Sequence, residues 1–187
     1  MLIADAQREI RQSYLGGFMG QLVSGVLWLV TAVIATWGTP RAAIIALFFG
    51  GMLIFPLTRI GLVAINHRLA ITPGNPLNGL AMQVALTLPI ALPVIGAAAL
   101  YRLDWLFPAF MIVLGAHYLP FVFLYGMRMF ALLCGLLVTA GLGLALYGPS
   151  RSFAVGAWVT CALLFAFAFA GRWLALRETA EDAEVES

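Results

Sequence analysis

The sequence is short of charge and has no lysine. Ten arginines and eight acidic residues amount to 10% of its 187 residues, against roughly 25% in a soluble domain. A surface so poor in charge cannot face water over its whole area. No arginine cluster is present that could follow a phosphate backbone, so nucleic acid is excluded as a partner. Cysteine is scarce too. Cys134 and Cys161 fall inside apolar runs and form neither a disulfide framework nor a metal motif, which leaves them as small packing residues. There are two histidines, His67 and His117, fifty residues apart, with no acidic or thiol ligand beside either. That excludes an ordinary zinc-type site. The sequence has no phosphate-binding glycine loop followed by lysine, no HExxH, no GxSxG and no paired carboxylates within an apolar run. No cofactor or metal is expected, and an enzyme is not the favoured reading.

What is present is hydrophobic surface. Apolar types make up 63% of the chain and the mean hydropathy is +1.02. A bilayer is the environment in which such a chain can hide its outside. The pattern predicts an all-α, polytopic transmembrane bundle of six spans, some kinked by proline. The expected spans are 15–37, 42–65, 80–100, 105–126, 129–147 and 153–175, each long enough for a hydrocarbon core of about 30 Å. Ahead of them, residues 1–14 carry Leu2, Ala6 and Ile10 at helical spacing with charges on the other side, the pattern of an interfacial amphipathic helix. Asp5 and Glu9 argue against a signal peptide there. Residues 176–187 read as an acidic, loosely ordered tail.

Within the spans, small residues recur every fourth position: Gly16, Gly20 and Ser24; Ala131, Gly135, Thr139 and Gly143; Ala162, Ala166 and Ala170. Such stripes let membrane helices approach closely. Pro56, Pro89, Pro93 and Pro120 predict bends or local unwinding. The segments from Gly51 to Pro56 and from Gly115 to Pro120 share a spacing that an internal repeat would produce. The connection 66–79, with its Pro, Gly and Asn, reads as a structured loop, with Asn78 as the cap of the third span. Six spans put both termini on one side. That side collects Arg8, Arg11, Arg59, Arg68, Arg128, Arg172 and Arg177, against Arg41, Arg102 and Arg151 on the other. The excess places both termini in the cytoplasm of an inner (plasma) membrane.

Six side chains are candidates for a ligand or gate: Arg59, His117, Tyr118, Arg128, Gln83 and Gln21. An arginine inside a span costs about 2.5–3.5 kcal/mol on insertion scales, so Arg59 either reaches the headgroups or faces a cavity, where it would offer charge to an anionic small molecule or lipid headgroup. Arg128 has the same two options. His117 stands near mid-span beside Tyr118, where a neutral ring can bridge helices or relay protons. Three functions are compatible with this set. The first is a small-solute or ion transporter or channel, which needs a continuous polar path. The second is a membrane-embedded enzyme or lipid-headgroup-binding protein, which needs a lateral opening. The third is an accessory or assembly protein, which needs neither. The chain is small for a solute path of its own, which raises a homodimer as the assembled form.

Overall fold

The computed structural model describes residues 1–67, 71–148 and 153–185, and side chains as far as Glu178. Six helical segments in it are long and apolar enough to cross a bilayer: Leu15–Trp37, Pro40–Ala64, Asn78–Tyr101, Leu103–Tyr125, Met129–Tyr147 and Val155–Glu178. The protein is an integral membrane protein, an all-α bundle of six spans. Its helices are α1 (Ile3–Ser13), α2 (Phe18–Trp37), α3 (Pro40–Ala64), α4 (Asn78–Tyr101), α5 (Leu106–Tyr118), α6 (Phe121–Tyr125), α7 (Met129–Tyr147) and α8 (Val155–Val185). Arg68 and most of the turn expected at 148–151 lie outside the described residues.

The spans form an open ring. α3 packs on α2, α2 on α8, α8 on α7, α7 on α5 and α5 on α4. Neighbours in the chain are neighbours in space, with one exception: α3 and α4 do not form a packed pair. α2 and α5 face each other across the interior and do not form a packed pair. Trp28 fills part of the space between them, with its ring 5.9 Å from Phe107 and 5.1 Å from Phe110. A close backbone approach in the ring is at Gly16 and Gly171, where a Cβ on Gly16 would collide with the Gly171 carbonyl. Gly16 also has φ +64°, which a side chain disfavours.

The Ala131–Gly135–Thr139 and Ala162–Ala166–Ala170 stripes face outward. The interior contacts of these spans come instead from Phe130, Leu133 and Leu137 and from Leu164 and Phe167. Small residues at other positions make the close contacts: a Cβ on Gly141 would press on the Pro108 carbonyl and one on Gly156 on Phe107. α3 runs through Pro56 and α4 through Pro89 and Pro93 as continuous helices, while the fourth span breaks at Leu119–Pro120. The Gly51 and Gly115 segments stand in different surroundings. A Cβ on Gly51 would meet nothing, whereas one on Gly115 would press on Val138 and the Cys134 carbonyl of α7. At the C-terminal end, α8 continues to Val185 where a loose tail is expected. Alanine and glutamate are good helix formers, and Arg11 holds Glu178 from outside the helix.

Candidate functional site

A cavity of about 140 Å³ lies between α2 and α5, toward the end of the ring that carries both termini. Gly17, just ahead of α2, and Gly20, Gln21 and Ser24 of α2 line it. Opposite them stand His117, Tyr118, Phe121, Tyr125 and Phe130, with Ile54 of α3 at the side. The glycines make room, and the aromatic residues form a packed wall. The Tyr118 and Phe130 rings are stacked at 6.1 Å, and Phe121 lies 5.4 Å from Phe130 and 5.2 Å from His117. The break at Leu119–Pro120 ends α5 so that His117, Tyr118, Phe121 and Tyr125 reach the cavity from two short helices.

Gln21 is the unusual member. It is 3% exposed, and among the described residues neither its Nε2 nor its Oε1 has a hydrogen-bond partner. Leaving a buried polar group unsatisfied costs about 1–3 kcal/mol, so an amide kept in this position calls for a reason. His117 Nδ1 lies 2.7 Å from Thr87 Oγ1 of α4. Apart from His117, no lining residue carries charge in the ordinary pH range.

The structure brings together three of the six sequence candidates: Gln21, His117 and Tyr118 line one cavity. Arg59 is exposed, one residue on from buried Thr58, which faces Gly20 of α2, and so it points out of the bundle. Arg128 is exposed ahead of α7 and Gln83 is exposed on α4. A site combining Arg59, His117 and Arg128 is therefore not formed.

Sequence reasoning missed the work of α1. This helix docks on the terminus-bearing end of the ring with Ala6 and Ile10 buried. Gln7 Nε2 donates to the Phe123 carbonyl at 2.5 Å, and Arg11 Nη1 to the Tyr125 carbonyl at 2.6 Å. These are carbonyls at the C-terminal end of α6, which the following Gly126 (φ +65°) leaves without a continuing helix. Arg11 also pairs with Glu178. Glu9 accepts from the Thr72 backbone N–H at 2.6 Å, from its hydroxyl, and from Asn75 Nδ2 at 2.6 Å. Gln12 O meets His67 Nε2 at 2.9 Å. The hydrogen bonds from Thr72, its hydroxyl first, and from Asn75 hold the Glu9 carboxyl below the usual carboxylate range. The expected cap at Asn78 is not made. Asn78 is already helical, and it is Asn75 Oδ1 that accepts from the Leu77 N–H at 2.9 Å. Charged and amide residues in the first turns of a chain gave the only available signal for this docking.

Residues 3–172 match the family described as DUF7010, a family of unknown function, and the chain belongs to it. No curated protein matches the chain. No solved structure matches it either.

Proposed function

We propose that this protein binds a small uncharged hydrogen-bonding group inside the membrane, in the cavity between Gln21 and His117–Tyr118. The orphaned Gln21 amide carries this reading, since its donor and its acceptor both stand beside the cavity with no partner among the described residues. The cavity suits a group of a few heavy atoms, given that about 150 Å³ accommodates benzene. An anionic ligand is disfavoured, because the lining supplies no cation. A continuous channel is disfavoured too, since Trp28, Phe107 and Phe110 occupy the space between α2 and α5 beyond the cavity. A purely accessory role leaves the Gln21 amide without purpose. The same proposal keeps residues 1–14 at the interface, 15–175 in the membrane and 176–187 outside it, with both termini in the cytoplasm of a plasma membrane.

The test is made on protein in phosphatidylcholine nanodiscs. Gln21→Leu removes the unsatisfied amide and raises stability by about 1–3 kcal/mol, at about 2–4 °C in Tm per kcal/mol for a chain of this size. Acetamide stabilises the unsubstituted protein and acetate does not, and Gln21→Leu abolishes the acetamide effect. A Gln21→Leu variant less stable than the parent would show that the amide has a structural partner, and the reading would lose its support.

A further inference from the structure

We infer that the ligand is a long-chain amphiphile with an uncharged hydrogen-bonding head, and that its apolar chain leaves the cavity between α3 and α4. This rests on the binding reading above and adds the ligand's class and its route. The head follows from the lining: an amide with both atoms free, a histidine, two tyrosines and a serine or glycine floor, with no arginine, aspartate or glutamate. A charged head would sit there uncompensated in a low dielectric. The size follows from the volume. Whole drug-sized ligands need about 300–1,000 Å³, so about 140 Å³ takes a head and excludes its chain.

The route follows from the ring. On one side the cavity is closed by the continuous packing of α2, α8, α7 and α5. At the terminus end α6 and α1 close it, and at the other end Trp28 with Phe107 and Phe110 does so. The remaining direction is the unpaired edge between α3 and α4. On α3, Ile54 lines the cavity, and Leu62, turned about 80° around the helix from it, packs with Phe18, Met19 and Ala168. Leu53 and Leu57 are turned the other way around the helix, away from the α2 contact, and are 52% and 44% exposed. On α4, Thr87 marks the cavity edge through His117, and Gln83, one turn away on the same face, is exposed. The gap thus has an apolar wall on α3, a polar fringe on α4, and a polar chamber at its inner side. In a bilayer, an aliphatic chain is the material that covers such a wall.

The experiment uses the full chain in phosphatidylcholine nanodiscs with a matched oleyl series. The photoprobe is an oleyl alcohol analogue with a diazirine in mid-chain, and labelled peptides are mapped by mass spectrometry. Labelling is expected to concentrate on α3 around Leu53 and Leu57 and on α4 around Gln83 and Thr87. Excess oleamide displaces it and oleyl phosphate does not. In Gln21→Leu, specific labelling falls by about tenfold, the scale of one lost hydrogen bond. Label spread evenly over the exposed faces of α7 and α8, or equal displacement by oleyl phosphate, overturns the inference. If acetamide stabilises the protein but the photoprobe is not displaced by oleamide, the cavity reading stands and the amphiphile is wrong. If neither neutral probe acts, both fail.

Discussion

The hydroxyl of Thr87 has one proton, and where it goes fixes the state of His117. Thr87 Oγ1 donates to the Val84 carbonyl at 2.7 Å, and a carbonyl can only accept. The contact at 2.7 Å between the same oxygen and His117 Nδ1 therefore runs the other way, with Nδ1–H donating. A neutral ring protonated at Nδ1 has a bare Nε2, so His117 adds an acceptor to the amide of Gln21. ¹⁵N NMR of labelled histidine in nanodiscs is expected to show Nδ1 protonated and Nε2 unprotonated at neutral pH. A bare Nδ1 would refute the assignment. Thr87→Val removes the acceptor, mixes the two tautomers, costs about 1 kcal/mol of stability and weakens the acetamide effect while the fold persists. His117 stood out in the sequence as the one histidine within a span. Its partner did not, because a threonine thirty residues earlier on another helix carries no local sign of the contact. Gln21 was legible as a polar residue among apolar ones, but its lack of a partner is a property of the packed ring.

At the scale of elements, α1 acts as a strap across the terminus-bearing end. Its amphipathic pattern was plain in the sequence, but the pattern does not say what the apolar side meets. Lipid and a helical bundle are equally apolar, and here Ala6 and Ile10 meet the bundle while Leu2 and Ile3 stay exposed. Span limits were legible to within a few residues because hydropathy ends where the helix leaves the bilayer. Which proline would break its span was not, since a membrane helix can stay continuous, as at Pro56, Pro89 and Pro93, wherever neighbouring groups serve the freed carbonyls. The strap gives a pH prediction whose sign follows from Glu9. Its carboxyl titrates below its ordinary value near 4.5 when docked. Its hold on Thr72 and Asn75 is therefore complete above that value and is lost as pH falls through the lower, docked one. Hydrogen exchange at the Thr72 amide, corrected for intrinsic rate, is expected to stay constant from pH 8 to 6 and to quicken in acid. Glu9→Gln flattens that dependence, and a Thr72 amide equally protected in acid would show that another group holds the loop. Arg11→Ala cuts the links to Tyr125 O and Glu178 together, and faster exchange is then expected in both α1 and α6.

For the whole molecule, the sequence makes six spans and hence an even number of crossings legible, and the Arg11–Glu178 pair puts both termini at one end. The closure of the ring was not legible. Which consecutive helices pack depends on contacts along entire faces, and only the long 65–77 connection hints that the second and third spans part company. The side of the membrane on which that end lies follows from a separate argument, the distribution of arginine. Arg8, Arg11, Arg59, Arg128, Arg172 and Arg177 stand at or near the terminus end, and Arg41 and Arg102 at the other, with Arg68 and Arg151 outside the described residues. Acidic residues count little in this rule, so the carboxylates after Arg177 do not offset the excess. A fluorescent protein fused behind the C-terminus of the chain is therefore expected to mature in the cytoplasm. Alkaline phosphatase inserted at Gly38–Thr39 or at Arg102 is expected to be active outside it. Phosphatase active at the C-terminus and silent at both turns would invert the molecule, placing the α1 strap and the mouth of the cavity at the outer leaflet and making extracellular amphiphiles the pool from which the cavity is filled.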